Sequence, residues 1–471
     1  MNSPAYSTKV PIIVNMISQL GLRLPLGYLS NYSFSGENKI GFTSPTFISI
    51  FCQATRKLRK MLKILHTADW HLGKRLQEYT RIEEQKLVLD EIIQIADQEK
   101  VDLVLLAGDI FDSFNPSHEA VELLYKSLRK LSNNGHRPIF AISGNHDSNQ
   151  FIEAPDPLAR EMGVFFYSRF DSVIPKGKIE SGLEIINSES GFVEFSIPGH
   201  PIPIRLILAP YATELSLKTY LGEGDREKEF RAILTEKWNS LADRYCDDQG
   251  INLFMGHFFF IQEGQTIPSN AEPESERPIL HVGGAQALFT QQIPPQMQYA
   301  ALGHLHRYHA VSTKPCPVVY ASSPLAYSFS EADQEKKVVI IEAEAGKPVS
   351  YTPIELKKGR PLYRVKFEQL QEALLWLEKH PYCFVELTYV TEQSIDASTR
   401  KALLKAHDGI VNLIPQIKNP RAQEDLSLKA EDLEKDMLAL FQLYYQNSKG
   451  LEANEELMEI FKEIISTEEN S

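Results

Sequence analysis

Residues 61–73 read MLKILHTADWHLG, and this stretch decides how the rest of the chain is interpreted. The apolar run Leu62–Ala68 has the length of a β-strand, and it ends directly in Asp69, Trp70 and His71. In open α/β sheets, ligands bind just outside the carboxyl ends of the strands. Since residues i and i+2 of an extended segment point the same way, Asp69 and His71 are predicted to reach one ion together.

Beyond this stretch, strand and helix patterns alternate as far as about Ala345. The first elements are the strand Leu62–Ala68, a helix over Ile82–Glu99, a strand over Asp102–Ala107, a helix over His118–Ser132 and a strand over Pro138–Ile142. This β-α-β-α-β order predicts parallel strands with helices covering the sheet. Later strands are predicted at Val164–Tyr167, Arg205–Ala209, Ile251–Met255, Gln298–Leu302, Val318–Tyr320 and Lys337–Glu342. Residues 262–297, rich in Pro, Gln and Gly, are interpreted as a long active-site insertion.

Four more clusters of Gly, Asp, Asn and His each follow a predicted strand. They are Gly108-Asp109-Ile110-Phe111-Asp112, Gly144-Asn145-His146-Asp147, Gly256-His257 and Gly303-His304-Leu305-His306. A single cluster of this kind is commonly a structural turn, but five in one chain are hard to obtain by chance. The predicted metal-ligating residues are Asp69, His71, Asp109, Asn145, His257, His304 and His306.

This donor set predicts phosphoryl chemistry at a dinuclear centre. The two oxygens of Asp109 can bridge two ions, and mixed imidazole and carboxylate ligands suit Mn, Fe or Zn better than Mg. Two ions about 3.5–4 Å apart stabilise both the attacking and the leaving oxygen of a phosphoryl displacement. His146 follows Asn145 directly and is the candidate general acid or transition-state stabiliser. The histidines without this context, interpreted as structural or surface residues, are His66, His118, His136, His200 and His309.

Composition sets limits on the class of protein. With 43% hydrophobic and 24% charged residues the chain resembles soluble globular proteins, and no apolar run approaches the roughly 20 residues of a membrane-spanning helix. The four cysteines form no CxxC pair, which fits a reducing, cytoplasmic location. A net charge of −13 is unusual for a protein that grips phosphates. Bound cations reverse the local field, and a partner that supplies contacts to a phosphate-bearing substrate would also help to explain it.

Three segments lie outside this alternating region. Residues 1–60 carry seven Lys or Arg against one Glu, and they are interpreted either as a non-native extension ahead of Met61 or as a disordered arm. Residues 359–420 predict a small α+β domain. Residues 425–471 are acidic and predict helices with one apolar stripe, formed by Leu433, Met437, Leu440 and Leu443. The stripe fits equally well two helices packed on each other or a docking element for another protein.

The five motifs resemble the pattern of the calcineurin-like metallophosphoesterase superfamily, which is D-x-H, GD-x-x-D, GNH-D/E, GH and GHxH. Within it, residues 61–73, Asp109-Ile110-Phe111-Asp112 and Gly359-Arg360-Pro361-Leu362 resemble the SbcD type of bacterial nuclease. The resemblance covers about residues 61–420. It implies an α/β sandwich of mixed β-sheets flanked by helices over 61–345, a capping domain over 359–420 and C-terminal helices over 425–471.

The resemblance also implies the roles of the site residues. One metal would be held by Asp69, His71, Asp109 and His306, and the other by Asp109, Asn145, His257 and His304. His146 would be catalytic. At Asp112, archaeal and eukaryotic relatives tend to carry a histidine implicated in exonuclease activity, whereas bacterial members resemble this chain in having Asp.

The activity implied by the resemblance is that of a Mn²⁺-dependent nuclease of DNA repair and recombination. It would act as a 3′–5′ exonuclease on double-stranded ends and as an endonuclease on single-stranded or hairpin DNA. It would form a homodimer and a complex with an SbcC-type, SMC-like ATPase docked on the C-terminal helices. The alternative is a superfamily phosphoesterase acting on a small nucleotide or phosphomonoester, because metal chemistry does not choose the substrate. A scaffold without catalysis would show broken ligand motifs, and none is broken.

Overall fold

The computed structural model describes residues 61–213, 226–264, 287–392 and 395–418, together with helical residues at 438–442, 445, 457–459 and 461. Predictions for residues 1–60, for most of the insertion at 262–297 and for most of 425–471 lie outside these described residues. Within them, no helix is both long and apolar enough to cross a bilayer.

The described residues form β-strands, α-helices and two short 3₁₀ turns. The strands are β1 (Leu62–Thr67), β2 (Arg75–Leu76), β3 (Tyr79–Thr80), β4 (Leu103–Ala107), β5 (Ile139–Ile142), β6 (Val164–Tyr167), β7 (Gly177–Lys178), β8 (Glu184–Glu189), β9 (Phe192–Ile197), β10 (His200–Ala209), β11 (Ile251–His257), β12 (Phe260–Ile261), β13 (Leu288–Phe289), β14 (Tyr299–Gly303), β15 (His309–Ser312), β16 (Val318–Tyr320), β17 (Lys337–Ala343), β18 (Ser350–Glu355), β19 (Leu362–Phe367), β20 (Phe384–Thr391) and β21 (Ile410–Ile417). The α-helices are α1 (Ile82–Gln98), α2 (His118–Leu131), α3 (Asn149–Glu153), α4 (Asp156–Glu161), α5 (Arg226–Tyr245), α6 (Leu370–Lys379) and α7 (Ala397–Ala406), and short 3₁₀ turns span Thr290–Gln292 and Phe329–Glu331.

Two large sheets face each other. The first has the order β18-β17-β1-β4-β5-β6, and the second has the order β15-β16-β14-β11-β10-β9-β8-β7. In the first sheet β1, β4, β5 and β6 run parallel, as the alternating pattern predicts, while β17 runs antiparallel to β1 and β18 antiparallel to β17. Alternate side chains of both sheets, such as Ile64, Leu105 and Leu253, share one buried core between the sheets. The fold is therefore an α/β sandwich of mixed sheets.

Helices cover the outer faces of the two sheets. Leu124 of α2 and Ile92 of α1 are buried against the opposite face of the first sheet, because the side chains of a strand alternate between faces. Trp238 of α5 is buried in the same way against the second sheet. Helix α5 was missed in the sequence, although its buried residues recur every three or four positions: Phe230, Leu234, Trp238 and Leu241. Its many charged residues face outward and hide that pattern.

The second sheet is also larger than the sequence predicts. The antiparallel strands β8 and β9 were not foreseen, and β10 begins at His200 rather than Arg205. Pro201 and Pro203 obscure the start of β10, since proline weakens a strand prediction. The pairing of β10 with β9 shifts register between His200 and Ile204, which accommodates these prolines.

A separate three-stranded sheet follows the sandwich. Its order is β19-β20-β21, all parallel, and α6 and α7 pack on one face around Leu377, Leu387 and Leu403. We refer to β19–β21 with these two helices as the capping sheet. Further along the chain, the rings of Phe441 and Phe461 stack with centroids 3.8 Å apart, which brings two helical segments into contact.

Candidate metal centre

The five motifs lie at the carboxyl ends of neighbouring strands. In the first sheet they follow β1, β4 and β5, and in the second sheet they lie at the ends of β11 and β14, which are adjacent. The ends of the two sheets approach closely here: a Cβ built on Gly303 would lie 1.8 Å from the carbonyl oxygen of Ala107. All seven predicted ligands therefore lie at or just after strand ends, where the two sheets meet.

The backbone at this place is unusual. Asp69, His71, Asp109 and His304 have φ angles of 53°, 42°, 47° and 108°. Such conformations of non-glycine residues cost on the order of 1–3 kcal/mol each and cluster at functional sites. Asp69 and His71 are held by hydrogen bonds from their amides to the carbonyls of Gly108 (3.0 Å) and Asp109 (2.9 Å). The reasoning from extended geometry was therefore wrong here, because these loops are curled rather than extended.

Asp109 is central to the site. Its Oδ2 lies 3.4 Å from Nε2 of His71 and 3.3 Å from Nε2 of His257, whereas its Oδ1 accepts a hydrogen bond from the amide of His146 (2.9 Å). Burial alone would raise the pKa of Asp109, but His257 and His71 outweigh burial and hold it well below its ordinary value. The carboxylate is therefore ionised and lies between two imidazoles, as expected for a bridging ligand.

One group of donors surrounds His71. The Nε2 atoms of His71 and His306 face each other at 3.0 Å. Burial lowers the pKa of His71 to about 3, so its imidazole is neutral and can offer a lone pair. Asp69 is fully buried and uses only Oδ1, which accepts from the amide of His304 (2.9 Å). Its Oδ2 has no hydrogen-bond partner in the protein, and burial raises the pKa of Asp69 to about 7.

A second group of donors surrounds His257. Oδ1 of Asn145 lies 3.1 Å from Nε2 of His257 and 3.0 Å from Nδ1 of His304. Nδ1 of His257 donates to the carbonyl of Ala107 at 2.8 Å, which directs Nε2 toward the site. Burial would lower the pKa of His257, but the adjacent Asp109 raises it to about 9. A Cβ on Gly108 would lie 2.1 Å from Nδ1 of His257, so this approach requires glycine.

The donor set fits two divalent cations. Two sets of donor atoms each lie within 4.8 Å of one another, and the sets share Asp109: one is His71, Asp109 and His146, and the other is Asp69, Asp109 and His257. These sets differ from the grouping implied by the resemblance in two places: Asp69 lies with His257, and His146 lies with His71. An unpartnered buried carboxylate oxygen and imidazole nitrogens that face each other are costly unless something satisfies them. Cations would satisfy both. Mixed nitrogen and oxygen donors match Mn, Fe or Zn.

His146 lies beside the His71 group. Its Nδ1 is 3.0 Å from the carbonyl oxygen of Asp112, and its ring lies edge-on to that of His71 with centroids 4.8 Å apart. Since the carbonyl can only accept, Nδ1 carries the proton of this hydrogen bond and Nε2 is left for other chemistry. The neighbouring Asp147 accepts from the amides of Gly144, Ile110 and Phe111 at 2.9–3.0 Å, which joins two motif loops.

Sequence reasoning missed two residues that contact the ligands. Glu331 is buried with Oε1 3.2 Å from Nδ1 of His306, and Lys336 pairs with its other oxygen. They occur in a turn that carries no motif, so only the folded chain identifies them. Of the five histidines interpreted as structural or surface residues, His66 and His200 are buried, and His118, His136 and His309 are exposed.

Comparisons with known proteins show the family to which the chain belongs. Residues 62–308 match the model of the calcineurin-like phosphoesterase family. The chain is 31% identical over 415 residues to the SbcD subunit of nuclease SbcCD from Bacillus subtilis (strain 168), which covers 86% of this chain and 98% of that one. It is 28% identical over 333 residues to the corresponding SbcCD nuclease subunit of Staphylococcus epidermidis, covering 70% and 80% of the two chains. A solved dimetal phosphatase from Danio rerio aligns at 12% identity with a TM-score of only 0.30, over 63% of this chain and 99% of that one.

Proposed function

Because the chain belongs to the calcineurin-like phosphoesterase family, and within it to the SbcD nucleases, we propose that this metal-dependent phosphodiester hydrolase is the DNA-cutting subunit of an SbcCD-type complex. The observation that carries the proposal is the position of Asp109 between two groups of donors. Metal chemistry alone does not choose a substrate. The choice of DNA rests on two relatives that are nucleases by name, matched over 98% and 80% of their own length.

The site residues have two proposed roles: seven would bind the metal ions, and His146 would donate a proton. We assign Asp69, His71, Asp109 and His306 to one ion and Asp109, Asn145, His257 and His304 to the other. Two divalent cations, most suitably Mn²⁺, would lower the pKa of water and neutralise charge on the phosphate oxygens. Nε2 of His146 would hold the proton that the leaving oxygen requires, because the hydrogen bond to the carbonyl of Asp112 occupies Nδ1.

The proposed activities are 3′–5′ exonuclease on double-stranded ends and endonuclease on single-stranded or hairpin DNA. The capping sheet would orient the DNA, and residues 425–471 would dock an SbcC-type ATPase. A homodimer is part of this proposal. Shared DNA contact accounts for a net charge of −13, which is unfavourable for a protein that grips DNA alone.

A paired substrate assay tests the proposal. The purified protein is incubated with Mn²⁺ and either a hairpin DNA or a nitrophenyl phosphate ester, and the products of both are quantified. We expect hairpin cleavage, and we expect chelation of the metal to abolish it. If the protein hydrolyses the small ester but cleaves no DNA, even with the ATPase partner added, it is a small-substrate phosphoesterase and the nuclease proposal is wrong.

A further inference from the structure

Glu331 lies at the end of a 3₁₀ turn and is almost completely buried beside the metal centre. Its Oε1 accepts from Nδ1 of His306 (3.2 Å), from the amide of Tyr327 (3.3 Å) and from the hydroxyl of Ser328 (3.2 Å). Its Oε2 pairs with Nζ of Lys336 at 2.5 Å. The carboxylate is thus fully engaged, and one of its contacts is a candidate metal ligand.

Lys336 ties this carboxylate to the backbone of the same ligand. Its Nζ donates to the carbonyl oxygen of His306 (2.7 Å) and to the hydroxyl of Ser323 (3.0 Å). A buried ion pair of this kind contributes little net stability, because desolvation opposes the attraction between the charges. The pair instead constrains geometry: Glu331 contacts the side chain of His306, and Lys336 contacts its main-chain carbonyl.

The turn that carries Glu331 also contacts the capping sheet. Phe329, two residues before Glu331, is buried in a cluster with Leu362 of β19, Phe384 of β20 and Leu76 of β2. The ring of Phe384 also lies under the guanidinium groups of Arg81 and Arg360, at 5.0 and 4.8 Å from its centroid. One end of the turn is therefore packed under the capping sheet, and the other end holds His306.

We propose that Glu331 is a positioning residue that directs Nε2 of His306 toward its ion, and that the turn Phe329–Glu331 links the capping sheet to this ligand. By accepting the proton of Nδ1, the carboxylate leaves the lone pair on Nε2, which faces Nε2 of His71 at 3.0 Å. Outer carboxylates that orient a ligating histidine typically change metal affinity by about 10–100-fold. The inference rests on the proposed dinuclear centre.

Calorimetric titration of the metal-free, full-length protein with MnCl₂ tests the ligand contact. Wild type is expected to bind two ions. E331Q keeps the volume but loses the charge, and we expect one of the two binding steps to weaken by about 10–100-fold while the other is unchanged. E331D, which keeps the charge but draws the carboxylate away from His306, should weaken the same step. The matched control E194Q removes a carboxylate that pairs with Arg205 in the second sheet, and both steps should remain as in wild type.

The link to the capping sheet needs a second pair of variants. F384A removes the ring that packs with Phe329, whereas L377A opens a similar cavity in the core of the capping sheet. We expect F384A to weaken the same Mn²⁺ step as E331Q, and L377A to leave both steps unchanged. Equal behaviour of F384A and L377A would overturn the link.

The metal titrations and the cleavage assay distinguish a failure of the role of Glu331 from a failure of the dinuclear centre or of the nuclease proposal. Unchanged Mn²⁺ binding in both E331Q and E331D would overturn the positioning role. Equal weakening of both steps, together with a lower melting temperature of the metal-free variant, would reduce Glu331 to a structural residue and likewise overturn it. A wild-type protein that binds no pair of ions would instead remove the proposed dinuclear centre. Two bound ions without DNA cleavage would remove the nuclease proposal and leave the role of Glu331 intact.

Discussion

Adding one methyl group at Gly144 should disable the metal centre without changing any ligand. A Cβ at this position would lie 2.1 Å from Oδ1 and 2.4 Å from the amide nitrogen of Asp109. Because Gly144 is not in the left-handed region, G144A introduces this overlap without the conformational strain that a positive φ would add. The three atoms nearest to the added Cβ all belong to Asp109, so the substitution acts first on this residue.

The expected size of the effect follows from that overlap. A carbon and an oxygen that are not bonded need a separation of about 3.5 Å, so Asp109 or the loop must move by more than about 1 Å. A misplacement of about 1 Å in a catalytic arrangement can cost about 100-fold in rate. Since Asp109 belongs to both groups of donors, both Mn²⁺ binding steps should weaken, in contrast to E331Q. Overpacking should also lower the free energy of unfolding by about 1–3 kcal/mol.

The assay combines Mn²⁺ calorimetry, hairpin cleavage and denaturant unfolding of G144A. G177A is the control, because a Cβ at Gly177 meets no atom within 4 Å. We expect G177A to bind two ions and to cleave DNA, although its positive φ strains the variant. If G144A binds Mn²⁺ and cuts DNA as wild type does, the close contact with Asp109 does not constrain the site and the reasoning is refuted.

Three other variants test separate parts of the molecule. H146A should retain both Mn²⁺ ions by calorimetry and lose about 10²–10⁴-fold in cleavage rate, as removal of a general acid does; loss of both ions would contradict the assignment. Deletion of residues 425–471 should leave a folded nuclease core by circular dichroism and abolish co-purification with an SbcC-type ATPase; retained co-purification would refute the docking role. W238A should lower the free energy of unfolding by about 3–5 kcal/mol, because this fully buried ring leaves a cavity under α5; unchanged stability in urea would contradict the packing.

Strands β1, β4, β5 and β6 of the first sheet were readable in the sequence because each is a short, largely apolar run. A strand buried on both faces requires such a run, as Leu103–Ala107 shows. Strand β18 of the same sheet, Ser350–Glu355, is only partly buried and was not predicted. Strands with one solvated face carry a weaker signal, and Glu184–Glu189, mostly polar and only partly buried, was missed for that reason. Helix α5 was missed because its few buried residues are separated by charged ones.

The candidate site residues were predicted from chemistry rather than from geometry. Asp, Asn and His directly after strands suggested metal ligands, and the structure brings all seven together. The local argument from extended backbone nevertheless fails at Asp69 and His71, since a positive φ cannot be read from residue type when glycine is absent. Glu331 carried no signal at all, because its role depends on a long-range contact with His306.

The relative positions of the candidate metal ligands are set by the packing of the two sheets as well as by the loops that carry them. His257 belongs to the second sheet, yet its Nδ1 donates to Ala107 at the end of β4 in the first sheet. His304, also from the second sheet, donates its amide to Asp69 of the first. Because these contacts cross between the sheets, each donor group combines residues of both. A displacement of one sheet against the other would separate Asp109 from His257, so the apolar core between the sheets also fixes the spacing of the proposed ions.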